Sequence, residues 1–198
     1  MLNLLKMKRL IFNAALILFT LPVFAQLNAE QAGIKKVFFD FLGYYKKNEA
    51  KFNSFKLYKG TGKENNPPYK IQWKEVEKYF AYLRNSVPYV GEAYIKAERL
   101  HFKQSDSSFK EYPEEELPAG FDYDRWAGGQ ESIEYTYKWY TSSKNKYRVI
   151  ITGNTAVLKI GSGGGSGQKD IFWSIVPFIK ENGKWKMADN VYPADDGN

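Results

Sequence analysis

The sequence predicts an α+β domain in which N-terminal helices pack on a curved antiparallel sheet. Three observations carry that expectation. Apolar residues recur at helical spacing through the first half of the chain, the period shifts to that of strands from about residue 131, and Asn182-Gly183 separates two strand-like runs. Asn-Gly is the strongest two-residue hairpin signal. Neither an internal repeat nor a second boundary interrupts residues 26–198, which are expected to form a single domain.

Residues 1–25 have the form of a secretory signal. Lys6, Lys8 and Arg9 precede an apolar run over 10–21, and Val23 and Ala25 supply the small residues that signal peptidase needs, so cleavage is expected after Ala25. The apolar run is shorter than the roughly 20 residues that cross a bilayer. No cysteine follows to carry a lipid, so no stable membrane anchor is expected after cleavage, and the destination is periplasmic or secreted. Losing those three cations lowers the net charge from +7 to +4.

Next, Asn28 and Gln31 form a capping box, after which Ile34, Val37, Phe38, Phe41, Leu42 and Tyr45 predict a helix over 29–47. Glycines, asparagines and prolines make 48–70 a polar, irregular connection. Trp73, Val76, Phe80 and Leu83 predict a second helix from about Gln72 to Arg84. Pro88 is placed to open a third, reaching about Lys103, with Val90, Ala93, Tyr94, Ala97 and His101 on one side. Residues 104–130 are left as a long loop, and loops of that length inside a domain are often functional.

From about Glu131 the alternation of residues 133–139 predicts a strand placing Tyr135, Tyr137 and Trp139 on one face. Residues 147–151 follow, and beyond Gly153-Asn154 a strand aligns Ala156, Leu158 and Ile160. The glycine-rich stretch 161–167 leads into a strand rather than a helix, so it is expected to be a hairpin connection and not a phosphate loop. Residues 171–179 are apolar on both faces, with Pro177 implying an edge or a bulge, and Trp185 and Met187 belong to the closing strand.

Composition removes much chemistry. Without cysteine there are no disulfides, thiolate nucleophiles or cysteine zinc sites, and the single histidine, His101, permits no two-histidine metal centre. The positive charges are not gathered into one patch, which together with export argues against a nucleic-acid partner.

The helical start, the hairpin, and the closing run from Phe178 through Asn182-Gly183-Lys184-Trp185-Lys186-Met187 to Asp189 resemble the nuclear transport factor 2-like superfamily, of cystatin-like shape. Within it, Asp122-Tyr123-Asp124-Arg125-Trp126 with Gln130-Glu131 is similar to an exported Gram-negative branch of unknown function. The resemblance implies a cone, with helices wrapped by a strongly bent sheet around a pocket. That superfamily contains isomerases, dehydratases and non-catalytic binders, so the fold assigns no activity. No Asp–His pair of the enzymatic members is evident.

On that frame, Asp122, Asp124 and Gln130, with Glu131, are expected near the open end of the cone, and Trp126, Tyr135 and Tyr137 are expected to wall the pocket or its rim. The competing reading gives the two aspartates a turn-capping role. His101 is expected to pack and hydrogen-bond a neighbour. Asp189 is expected either to project into the pocket or to bind backbone amides near the first helix. The Asp122–Asp124 spacing lacks the dense oxygen set of a calcium loop, so neither metal nor cofactor is expected. The leading expectation is therefore an exported non-catalytic binder of a small molecule, a glycan or a segment of another exported protein. One rival is a pocket enzyme moving a proton through Asp122, Asp124 or Asp189, and the other an envelope interaction or inhibitor module acting through 104–130.

Overall fold

A computed structural model describes residues 27–162 and 172–194. The expected signal and cleavage point, and residues 163–171 of the glycine-rich connection, lie outside the described residues. Helix α1 spans Ala29–Phe52, followed by a short hairpin of β1 (Tyr58–Gly60) and β2 (Tyr69–Ile71). Helices α2 (Trp73–Ser86), α3 (Glu92–Glu111) and α4 (Ile133–Tyr140) come next. The meander closes the chain as β3 (Lys146–Thr152), β4 (Thr155–Ser162), β5 (Phe172–Glu181), β6 (Lys184–Met187) and β7 (Tyr192–Pro193). The class is α+β, with antiparallel strand pairing in both sheets.

The capping box forms as its spacing requires. Gln31 N–H donates to Asn28 Oδ1 at 2.9 Å, and Asn28 N–H donates to Gln31 Oε1 at 3.0 Å. Helix α1 then buries Ile34, Phe38, Phe41, Leu42, Tyr45 and Phe52 against the sheet and the other helices. Its first turn reaches two separate strands: Glu30 accepts from Trp185 Nε1 on β6, and Gln31 Nε2 donates to the Val149 carbonyl on β3.

The larger sheet runs β3-β4-β5-β6, with β7 also on β5. Asn182 and Gly183, at φ 50° and 75°, turn β5 into β6, the left-handed pair that a two-residue hairpin demands. Pro177 sits inside β5 opposite Val157, not at an edge. In an antiparallel strand the N–H and C=O of one residue face the same neighbour. The Pro177 carbonyl accepts from Ala188 N–H at 2.9 Å, so its nitrogen faces the gap after β6 ends at Met187 and before β7 begins at Tyr192. Residues 188–191 leave the sheet there, and they supply Asn190 and Val191 to the interior and Asp189 to its margin.

Four expectations are corrected. Residues 133–139 are helical: Ser132 caps α4, its Oγ accepting from Tyr135 N–H at 3.3 Å, and Ile133, Thr136 and Tyr140 are buried one helical turn after another. The aromatic alternation mimicked a strand because tyrosine and tryptophan fit either period when only one of them need be buried. The third helix begins later and ends later than expected. Val90 bridges Met187 in parallel and the Tyr89 carbonyl accepts from Met187 N–H, so 89–90 cover the edge of β6 instead of starting a helix. The buried stripe of α3 is Tyr94, Ile95, Glu98, Phe102, Ser105 and Phe109, which leaves His101 at its margin and shortens the loop to 112–132. Finally, 48–70 is only partly irregular, since α1 continues to Phe52 and the β1–β2 hairpin follows.

The N-terminus of α3 is capped from the sheet. Glu181 accepts from the backbone N–H of Glu92 and Ala93 at 3.1 Å each, and a Cβ at Gly91 would stand 2.1 Å from Glu181 Oε2. A side chain at 91 would therefore displace the Glu181 carboxylate from the cap. No helix among the described residues is long and apolar enough to cross a membrane.

The corrected element yields a first prediction. Ser132→Ala is expected to destabilise the protein by about 1 kcal/mol through loss of the α4 cap. Urea denaturation measures it, and a variant as stable as the parent would argue against that cap.

Candidate functional site

Within loop 112–132, one carboxylate fixes the turn over 124–129. Asp124 Oδ1 accepts from the backbone N–H of Trp126 (2.9 Å) and Ala127 (3.0 Å), while Oδ2 accepts from the Tyr45 hydroxyl of α1 at 2.8 Å. Asp124 N–H donates to the Gly129 carbonyl at 2.7 Å, and Gly128 N–H returns to the Asp124 carbonyl at 2.8 Å. Burial raises the Asp124 pKa, and the bonds from Tyr45, Ala127 and Trp126 pull against that rise. Burial, with Asp124 beside it, pushes the Tyr45 phenol far above its ordinary range.

Beneath the loop lies a buried polar chain. Trp126 Nε1 donates to the Tyr79 hydroxyl at 2.6 Å, which donates to Glu98 Oε2 at 3.1 Å. Asn190 Nδ2 donates to Glu98 Oε1 at 2.6 Å, and the Tyr94 hydroxyl donates to Asn190 Oδ1. Glu98 has no solvent exposure. Its counter-charge is Arg125, 4% exposed, whose Nε stands 3.4 Å from Glu98 Oε2. The guanidinium also packs over the rings of Phe102 and Phe121, 4.4 and 5.0 Å from their centroids.

Trp126, Arg125 and Phe121 also line a cleft of about 530 Å³ between the end of α1, the segment leading into β1, and the loop. Phe55, Tyr58 and Phe121, partly exposed, give it aromatic walls, backed by the buried rings of Tyr45, Phe52 and Trp126. Glu49, Asn53, Lys56, Asn65, Gln130 and Glu131 give it a polar margin. The Tyr58 and Phe121 rings lie 4.6 Å apart at its side.

The six expected site residues divide. Asp124, Trp126 and Gln130 line this cleft. Asp122 is exposed and lines none of the clefts described here. Tyr135, 56% exposed, and Trp139 border a separate shallow groove with Gly128 and Tyr140. Tyr137 is half-buried against α1, where Lys46 Nζ stands 5.1 Å from its ring centroid. The helical conformation of 133–140 sends these rings in different directions.

The other polar expectations also meet a different geometry. His101 Nε2 lies 3.0 Å from Asp189 Oδ1, so an Asp–His pair exists after all, assembled by the excursion at 188–191. Asp189 neither enters the aromatic cleft nor binds the start of α1. Its hydrogen bond raises the His101 pKa above the ordinary 6.5.

Sequence reasoning missed Arg125, Glu98, Tyr45, Tyr58 and Asn190. One signal was present: Glu98 falls between Tyr94 and Phe102 in a helical stripe whose other members are mostly apolar, and an acid in such a place demands a buried partner. Among the described residues no group of three or more His, Asp or Glu could hold a metal ion. The chain matches no protein-family model, no curated protein and no solved structure.

Two predictions follow from the polar chain and the histidine pair. Glu98→Ala leaves Arg125 buried without its counter-charge and is expected to cost about 3–5 kcal/mol in denaturant unfolding; a cost below about 1 kcal/mol would show that the pair is not buried in solution. Since His101 is the only histidine, its ring resonances titrate without ambiguity. Its midpoint is expected above 6.5 and should fall in Asp189→Asn. Because the folded value is raised, the pair's stabilisation is fully present below pH 6.5 and is lost as pH rises through the folded midpoint. An unshifted midpoint would remove the pair.

Proposed function

We propose that this chain is an exported, non-catalytic binding protein of the nuclear transport factor 2-like cone type, working in the periplasm or outside the cell. Its ligand site is the aromatic-floored cleft under loop 112–132, and its ligand is a small molecule or glycan. The observation that carries the reading is the cleft itself: a concave aromatic base with polar groups at its margin, beneath a loop fixed in advance by Asp124 and Tyr45. Ligand sites typically combine apolar walls with a few placed polar groups, and aromatic faces stack well on sugar rings. A wall already ordered before binding loses little entropy when the ligand arrives.

A further observation supports the cone reading. In a flat four-stranded sheet the outermost strands stand about 14 Å apart. Glu30 and Gln31, adjacent in α1, nevertheless bond to Trp185 on β6 and Val149 on β3, the outer members of the main strand path, as expected of a sheet bent round that helix. Export rests on the signal-like form of residues 1–25.

A proton-transfer enzyme is the second reading, and the His101–Asp189 pair favours it. Neither residue lines the aromatic cleft, and Asp124, which does, has both oxygens engaged in holding the loop. Those facts support the binder.

A screen of neutral mono- and oligosaccharides and common metabolites by NMR is expected to yield compounds that shift the Trp126 indole and Gln130 side-chain resonances. Tyr58→Ala and Gln130→Ala should each weaken such a compound at least fivefold. Unchanged affinity in folded variants would refute the cleft, while turnover of a compound that His101→Gln abolishes would favour the enzyme.

A further inference from the structure

A second, smaller cleft of about 220 Å³ shares Arg125 and Tyr123 with the aromatic one and is otherwise lined by α3 and the loop, through His101, Gln104, Ser105 and Gly120. We propose that it is a separate binding site for a small carboxylate, held by the Arg125 guanidinium together with the Gln104 and Ser105 side chains.

The chemistry of the lining points to an anion. The aromatic cleft carries Glu49, Asp124 and Glu131, whereas the smaller one has no carboxylate in its lining. Arg125 is nine-tenths buried, yet its Nε and Nη1 have no hydrogen-bond partner. Glu98 faces the charge from 3.4 Å without making a hydrogen bond to it, while its oxygens accept from Tyr79 and Asn190. A buried cationic donor left in that condition gains from any acceptor that can reach it. Packing over Phe102 and Phe121 fixes the plane of the fork, so little order remains to be imposed when an acceptor arrives. His101 lies in the same wall, and its bond to Asp189 favours the protonated ring.

Carboxylate is favoured over phosphate by what stands behind the lining. Arg125 and His101 line the cleft while Glu98 and Asp189 stand behind them, so the nearer charges attract an anion and the farther ones repel a dianion more than a monoanion. A planar singly charged group also matches the guanidinium fork.

The test uses the purified protein with acetate as probe, read on the His101 ring resonances at constant pH and ionic strength, with chloride as control. Acetate is expected to give a saturable shift in the millimolar range that chloride does not give. Gln104→Ala and Ser105→Ala, which leave the Glu98–Arg125 pair intact, should each weaken it at least threefold, and Arg125→Lys, where it folds, should abolish it. A shift that chloride reproduces, or one that both α3 variants leave unchanged, overturns the proposal. Inorganic phosphate binding more tightly than acetate overturns the carboxylate class. The Trp126 indole reports the aromatic cleft separately, so failure here and failure of the cleft reading are told apart.

Discussion

A carboxylate removed from water is the constraint on which the rest of the molecule depends. Glu98 has no exposure at all, and a buried charge is tolerated only where partners replace its hydration. Each partner comes from a different part of the chain: Tyr79 from α2, Asn190 from the excursion after β6, and Arg125 from the loop. Satisfying one side chain thus fixes the position of three segments. Trp126 joins through Tyr79, and the floor of the aromatic cleft is set by the same bonds. Such a network contributes more to a unique arrangement than to net stability, since the desolvation of both ions offsets much of their attraction.

The excursion that delivers Asn190 has its own cause in the sheet. Proline at 177 offers no N–H toward β6, so the ladder on that side breaks after Met187 and resumes at Tyr192. Four residues gain the freedom to turn inward. Asp189 reaches His101, Asn190 reaches Glu98, and Val191 packs so closely that a Cβ at Gly128 would stand 2.9 Å from it. One residue without a donor therefore connects the strand pattern to both clefts.

Much of the frame was legible in the sequence, and particular residues explain where legibility ended. The capping box at Asn28, the Asn182-Gly183 turn and the Ala156-Leu158-Ile160 face are local signals, each decided by neighbours within a few positions, and each forms as read. The segment 133–140 was misread because its aromatic residues satisfy a two-residue period, while Ser132 and the contact with α1 decide for a helix. The end of α3 was missed because Ser105 interrupts the apolar stripe although it is buried. Trp126 and Asp124 were found through their motif, but their partners Tyr79 and Tyr45 stand 47 and 79 positions away, and no local pattern links them. Pairing across such distances is a property of the packed chain.

The dependence of Glu98 on Asn190 also sets an order of assembly. Chains are synthesised from the N-terminus, and domains complete themselves only when their distant contacts become available. Helix α3 is finished almost eighty residues before the amide that answers its acid, and the Glu181 cap at its start arrives only shortly before. Until then Tyr79 and Arg125 are in the chain to answer Oε2, but Oε1 lacks its donor at a position that must be dry. Closure of the interior around that acid is thus deferred until the residues after β6 are made, so a chain cut short before residue 190 would possess every helix described here and still lack a donor to Glu98 Oε1.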